Sequence, residues 1–280
     1  MCLGFHGITL VVTGGAEGLG FSMVENFLQG GAKLAIILDV NEQKGAEAIK
    51  TVKAKYGDKA VFLKCDVTKD LDAVFDKVMS EYGPVDLLVN NAGVLAEHSY
   101  NKTIDINTTA VIAWTLKFYD AMRKDRGGRG GTIINVSSIY GYRISAYIPI
   151  YHASKFAVLG FSKSLGHKIN FERSGVRVVT LCPGLTHTTL ASNVHIREDE
   201  FLEEFKEEVK LLEWQTPESI GRGTVAIYRQ LPFFFSIEIQ PTYKCKNFVI
   251  LLIYILYNIL GLFVVRVYVK SISKTFSLHH

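Results

Sequence analysis

Short apolar runs alternate with longer amphipathic stretches along most of this chain. Ile8–Thr13, Lys33–Leu38, Ala60–Lys64, Asp86–Asn90, Thr132–Val136 and Arg177–Leu181 are rich in Val, Ile and Leu. They show no strict apolar–polar alternation, which predicts strands buried on both faces. Between them, Phe21–Gln29, Gln43–Tyr56, Asp70–Tyr82, Lys102–Lys124 and the stretch from Tyr151 to about Phe171 read as helices. In the third of these, Leu71, Val74, Phe75 and Val78 share one side. Six strands alternating with helices, with no repeat and no low-complexity linker, predict an α/β fold built on a doubly wound parallel sheet (a Rossmann fold). One domain is expected over 1–240. A lid is expected near 190–215, where Phe201, Leu202, Phe205, Val209 and Leu212 recur at helical spacing against an acidic face. Substrate cover and plain packing explain that stripe equally well.

The polar residues of interest follow the strands. Thr13–Gly20 (TGGAEGLG) joins the first strand to a helix, with Gly14, Gly18 and Gly20 in a G-x-x-x-G-x-G spacing. Strand, glycine turn and helix form the context in which a backbone cradles a pyrophosphate at a helix N-terminus, although tight turns use glycine too. Asp39 ends the second strand. An acid there accepts hydrogen bonds from both ribose hydroxyls of an adenosine and repels a 2′-phosphate, which favours NAD over NADP; a solvated turn aspartate is the plainer reading. Asp66-Val67 ends the third strand, where an acid meets an adenine amino group. Asn90-Asn91-Ala92-Gly93 ends the fourth and leaves room for a cofactor against the backbone. Ser138 follows the fifth, and Pro183-Gly184 and then Thr188 follow the sixth. Ligands of open α/β sheets bind at these carboxyl ends. Tyr151 and Lys155 are four apart and share a helix face. A phenol, an ammonium and the Ser138 hydroxyl suit proton transfer at an alcohol oxygen, with Lys155 lowering the Tyr151 pKa. Alone, the Tyr-x-x-x-Lys spacing is common on helix surfaces.

Composition narrows the classes. Of 280 residues, 48% are hydrophobic and 21% charged, and the formal net charge is +4. All of that excess lies in 231–280; a neutral body gives no reason to expect nucleic acid as a partner. Cys2, Cys65, Cys182 and Cys245 form no C-x-x-C pair and sit beside no His cluster, so no metal site is expected; Cys65 and Cys182, at ends of apolar runs, read as buried thiols. The residues ahead of the first strand show no basic stretch followed by an apolar run, so no secretory signal is expected. Of three glycosylation sequons, that at Asn135 lies in a strand pattern and reads as chance.

The motifs TGGAEGLG, Asp66-Val67, Asn90–Gly93, Asn107, Ser138, YHASK at 151–155 and Pro183-Gly184, in this order, resemble the short-chain dehydrogenase/reductase family from about Gly7 to Gln230. KCDVTKD, LLVNNAGV and SGVRVVTLCPG are most similar to its hydroxyprostaglandin and insect alcohol dehydrogenase branches. The resemblance implies a Tyr151 general acid/base and a Lys155 that lowers its pKa and holds the nicotinamide ribose. It implies that Ser138 positions the substrate and that Asn107 supports a water path. Cofactor contacts are implied for Gly14, Gly18, Leu19, Gly20, Asp39, Asp66, Val67, Asn91, Ala92, Gly93, Pro183, Gly184 and Thr188. The prostaglandin-oxidising branch has glutamine three residues before the tyrosine. Here that position is Ile148, which disfavours a prostaglandin and favours a more apolar alcohol or ketone; Tyr140, Tyr142 and Tyr147 fit the same reading. Family members pair as dimers or tetramers, often through helices equivalent to 102–124 and 151–171.

The resemblance stops after Gln230. Residues 231–239 offer a poor seventh strand. Phe248–Val265 has eighteen residues without a charge, flanked by Lys244, Lys246 and Arg266. A membrane anchor at the short end of the range and a non-native tail are equally compatible with it. A helix projecting from the domain, or a poorly ordered segment, is expected there. The main expectation is a cytoplasmic NAD-dependent dehydrogenase of a hydrophobic secondary alcohol. The alternative is a non-catalytic or membrane-tethered binding protein.

Overall fold

A computed structural model describes residues 7–192, 194–230, 236–240 and 264–268. In chain order these residues form β1 (Thr9–Thr13), α1 (Gly18–Gln29), β2 (Leu34–Asp39), α2 (Glu42–Tyr56), β3 (Ala60–Lys64), α3 (Leu71–Glu81) and β4 (Leu87–Asn90). Then come α4 (Tyr100–Ile104), α5 (Val111–Met122), β5 (Gly131–Val136), α6 (Pro149–Leu165), α7 (Lys168–Ser174) and β6 (Val176–Pro183). Last are α8 (Thr189–Ser192), α9 (Leu202–Lys210), α10 (Pro217–Gln230), β7 (Ser236–Gln240) and β8 (Val264–Tyr268).

All eight strands pair in parallel, in the order β3-β2-β1-β4-β5-β6-β7-β8. Neighbouring side chains on a strand point to opposite faces. Leu10, Val12, Ile37 and Ile134 therefore join one core with Met23, Phe27 and Ile220. Val11, Ile36, Leu38 and Ile133 join the other with Val78, Trp114 and Phe118. Both faces are covered by helices, which is why the strands read as unbroken apolar runs. The reversal of strand order lies between β1 and β4, and the two loops that leave those strands flank one cleft.

Three helical expectations are corrected. The stretch 102–124 is not one helix: α4 and α5 are separated by a π-helical turn at Asp105–Ala110. The Asn107 carboxamide inside that turn bonds both backbone groups of Val94 at 2.8 Å, so the wider turn is tied to the loop after β4. The helix of Tyr151 ends at Leu165, not near Phe171. His167 Nδ1 then accepts the Ile169 N–H and opens α7 as a new helix. Phe201 leaves the lid stripe because it sits in a 3-10 turn ahead of α9 and is 40% exposed, whereas Phe205 is buried.

A seventh strand does form, and β8 adds to it as the new edge. Val264, Val265 and Val267 are β-branched and favour a strand, so this part of the tail does not project as a helix. Residues 248–263 of the apolar run lie outside the described residues. No described helix is long and apolar enough to cross a membrane.

A buried polar cluster ties the sheet to α5 and α6. Asn90 Nδ2 donates to Asn135 Oδ1 at 2.8 Å and to Thr115 Oγ1 at 3.0 Å, Thr115 Oγ1 donates to the same Asn135 oxygen, and Asn135 Nδ2 donates to Ser162 Oγ at 2.9 Å. Asn135 is therefore a core residue, fully buried, and not a glycosylation site. Asn135→Leu strands three buried partners at once. It should lower stability by about 3 kcal/mol in urea unfolding; a loss under about 1 kcal/mol would show that the cluster adds little.

Candidate active site

The carboxyl ends of β1, β2, β3, β4, β5 and β6 open on one cavity of about 370 Å³. Its walls include Gly14, Gly18, Leu19, Asp39, Asp66, Val67, Asn91, Ala92, Gly93, Ser138, Tyr140, Tyr151, Lys155, Pro183, Gly184 and Thr188. Gly20, Asn107 and Ile148 are absent from the wall. Gly20 lies beneath the turn, where a Cβ would stand 2.1 Å from the Gly14 carbonyl oxygen. Asn107 is wholly buried behind Val94. Ile148 precedes α6 in a buried cluster with Ile139, Tyr140, Tyr151, Ile196 and Phe205. It packs the base of the helix and does not face the cavity, so the substrate contact expected of it is not what the fold provides. Tyr142 and Tyr147 pack against the same cluster; of the three loop tyrosines only Tyr140 reaches the wall.

One end of the cavity is shaped like a dinucleotide site. Gly14 takes φ +60°, and a Cβ there would meet Ala92 Cα at 2.9 Å, so the glycine loop and the loop after β4 touch backbone to backbone. The Asn91 side chain fastens them by donating to the carbonyls of Thr13 and Gly14, while Thr13 Oγ1 accepts from the Asn91 and Ala92 amides. The N-terminus of α1 carries no side-chain cap, which leaves its first amides for an anion. Asp39 is held by the Ala16 amide at 3.1 Å and the Asn41 amide at 3.0 Å; a carboxylate has acceptor sites to spare after two bonds. Asp66 is bound by the Thr68 hydroxyl and amide and by Lys69, which pull its pKa down to about 2. An uncapped helix end, two fixed acids and close glycine backbones fit a dinucleotide.

The other end is apolar. Leu95, Leu185, Val194, Phe205, Val209 and Trp214 join Tyr140 there. Four of these belong to the 190–215 segment, which lines the cavity as well as packing against the body. Leu95, Leu185, Val194 and Trp214 were not singled out from the sequence. Isolated apolar residues carry no pattern that separates a wall from a core.

Tyr151 and Lys155 sit where the two ends meet. Burial pushes the Tyr151 phenol up to about 12, against the pull of a hydrogen bond with Ser138. Burial pushes the Lys155 ammonium down to about 8. The Lys155 Nζ donates to the Val136 carbonyl at 3.0 Å and lies 5.5 Å from the Tyr151 ring centre. Loss of water, not the lysine, thus dominates the phenol in this structure, contrary to the lowering expected from the spacing. Below pH 8 the lysine still carries its charge beside the ring. Ser137 Oγ donates to the Lys155 carbonyl, and Ser154 Oγ accepts from Asn107 and donates to the Tyr151 carbonyl, so both residues are fixed from below. A phenol, a charged amine and a hydroxyl beside an apolar pocket can hold an alcohol oxygen and move its proton.

Residues 9–199 match the family model described as short chain dehydrogenase. The chain belongs to the short-chain dehydrogenase family. It is an oxidoreductase of that family, 36% identical over 228 residues to the 15-hydroxyprostaglandin dehydrogenase (NAD+) of Rattus norvegicus, covering 79% of this chain and 85% of the relative. It is 30% identical over 223 residues to alcohol dehydrogenase 2 of Ceratitis capitata, covering 78% and 86%. A short-chain dehydrogenase structure from Novosphingobium aromaticivorans superposes with a TM-score of 0.63 at 26% identity over 80% of this chain and 78% of that one. The 3-ketoacyl-(acyl-carrier-protein) reductase of Brucella melitensis, solved with NADH, shares the fold with a TM-score of 0.70 at 23% identity over 84% and 97%.

Glu97 carries no motif in the sequence. It is 1% exposed, and its two carboxylate oxygens accept the Ile150 amide at 3.1 Å and the Tyr151 amide at 2.7 Å. A lone glutamate 54 residues from the tyrosine gives no local signal.

The buried lysine makes this dehydrogenase's stability depend on pH. The Lys155 ammonium titrates at 10.5 in a free chain and at about 8 in the fold. Between those values the unfolded chain holds more protons, so the folded state gains stability as pH rises. Compared with Lys155→Met, the wild-type chain should gain roughly 3 kcal/mol between pH 8 and 10.5 in denaturant unfolding. Parallel curves for the two proteins would contradict the buried charge.

Proposed function

We propose that this chain is an NAD-dependent dehydrogenase that interconverts a hydrophobic secondary alcohol and its ketone. The observation that carries the reading is the meeting of Ser138, Tyr151 and Lys155 between a dinucleotide-shaped end and an apolar end of one cavity. When bound, the nicotinamide supplies the acceptor for the hydride of the carbinol carbon. Ser138 holds the alcohol oxygen by hydrogen bond. Tyr151, as phenolate, takes the hydroxyl proton as the carbonyl forms, and gives it back in the reverse direction. The charged Lys155 favours that phenolate once substrate and cofactor bring the groups together. Asn107 holds the Val94 loop and Ser154 behind the lysine and lies on the route by which the proton leaves.

Asp39 supports NAD as the cofactor. Its carboxylate is fixed at the wall, where a 2′-phosphate would meet like charge, and the hydroxyprostaglandin relative's name carries NAD+. The apolar end supports a lipophilic substrate. Leu116 on α5 and Phe156 on α6 are each more than 40% exposed, which supports pairing of copies through these helices as a dimer or tetramer. A cytoplasmic location completes the reading.

Tyr151→Phe should keep NAD binding and lower turnover at least ~100-fold, the scale of lost acid–base catalysis; NADH formation on a panel of lipophilic alcohols reads it, and near-normal turnover would refute the proton role. Asp39→Ala should narrow a strong preference for NAD over NADP, read as the ratio of kcat/KM values. Equal use of both cofactors by the wild-type protein would show that Asp39 does not set the choice.

A further inference from the structure

The helix that carries Tyr151 has no cap of its own. Ile148 occupies the N-cap position and makes no side-chain cap bond, and Pro149 follows. Pro149 lacks an N–H, so it leaves no orphan donor at the first position. The amides of Ile150 and Tyr151 still need acceptors, because a helix's first turn has none within the helix. An apolar residue at 148 cannot supply one. Glu97 supplies both, from the loop after β4, through one oxygen to each amide.

The loop is built to hold that carboxylate still. Asn107 clamps Val94 by both backbone groups. The Ala96 carbonyl accepts the Thr103 hydroxyl at 2.9 Å and the Ser99 amide at 3.0 Å. Ala96 also bridges in parallel to His195 in the 190–215 segment. Glu97 thus reaches α6 from a segment pinned on both sides of it, while it is itself almost wholly out of water.

We propose that Glu97 is the positioning residue for Tyr151, acting as a remote N-terminal cap of α6; the catalytic part of this inference rests on the dehydrogenase reading above. The tyrosine lies in the first turn of the helix and Lys155 in the second. If the first turn frays, the phenol moves relative to Lys155 and Ser138, which are fixed through the Val136 and Tyr140 backbones. The dinucleotide end, built from the glycine loop, Asp39 and Asp66, does not move with it. Loss of the cap should therefore reduce turnover and spare cofactor binding.

Glu97→Gln in the full-length protein tests this. Glutamine keeps the volume but puts an NH2 donor against one of the two amides, so one bond is lost. Turnover should fall about 10-fold, because small misplacements of a reacting group cost one to two orders of magnitude, with the NAD Kd within about 2-fold. Glu97→Ala should fall further. Hydrogen exchange of the 150 and 151 amides should be slow in the wild-type protein, fast at one of the two in Glu97→Gln and fast at both in Glu97→Ala. Unchanged turnover, or an equal loss of NAD affinity, would overturn the proposal. Fast exchange of both amides in the wild-type protein would overturn it without any variant, even should the substituted chains fail to fold. A wild-type chain with no dehydrogenase activity would refute the reaction and with it the positioning of a catalytic group; slow exchange would then establish the cap alone.

Discussion

Holding an ammonium group almost entirely out of water is the constraint around which this molecule is arranged. Desolvation of Lys155 opposes its charge. Among the described residues no carboxylate pairs with it; its amine has the Val136 carbonyl. A carboxylate would hold the charge more firmly, but it would also draw the amine away from the phenol. A carbonyl satisfies one donor and leaves the field of the cation directed into the cavity. The surrounding hydroxyls and amides of Ser137, Ser154 and Asn107 all bond to backbone or to one another, so the neighbourhood is rigid without being charged.

This arrangement asks for a stiff frame, and the parallel sheet provides it. Helices pack on both faces of the sheet, and the strand ends open on the cavity. The loops leaving β1 and β4 are fastened to each other by Thr13 and Asn91, and the buried Asn90–Asn135–Thr115–Ser162 cluster locks α5 and α6 onto the strands between them. The helix bearing the tyrosine and lysine is consequently held at three heights: by Glu97 at its start, by Ser137 at its middle and by Asn135 near its end.

Most of this frame is legible in the sequence because it depends on short-range rules. Apolar runs bounded by glycine or asparagine mark six strands, and the residues after them mark the cleft. The glycine loop, Asp39, Ser138, Tyr151 and Lys155 stand out because spacing and context coincide. The helix break at Asp105–Ala110 does not stand out, since it follows from Asn107 bonding the backbone of Val94 in another loop, and that at Gly166–His167 does not because histidine is not an ordinary capping residue. The family resemblance makes Ile148 a substrate contact, whereas the fold turns it into the core. Glu97 was invisible for the complementary reason: its partners come together only in three dimensions. β8 follows from β-branched residues inside a tail whose composition fits a membrane anchor and a non-native tail equally.

The strand order has a consequence for how the chain is made. β1, β2 and β3 leave the ribosome first and extend the sheet in one direction, which leaves the far side of β1 open. Its partner β4 arrives only later, with Leu10 waiting for Leu87. From then on growth reverses and each new strand joins the opposite side, from β4 through to β8. Until β4 arrives, the open side of β1 is an apolar strand with unpaired backbone, and such edges invite association with other chains. A chain stalled between β3 and β4 keeps bare a strand that the finished fold buries completely, so early synthesis is where this architecture is most exposed to aggregation.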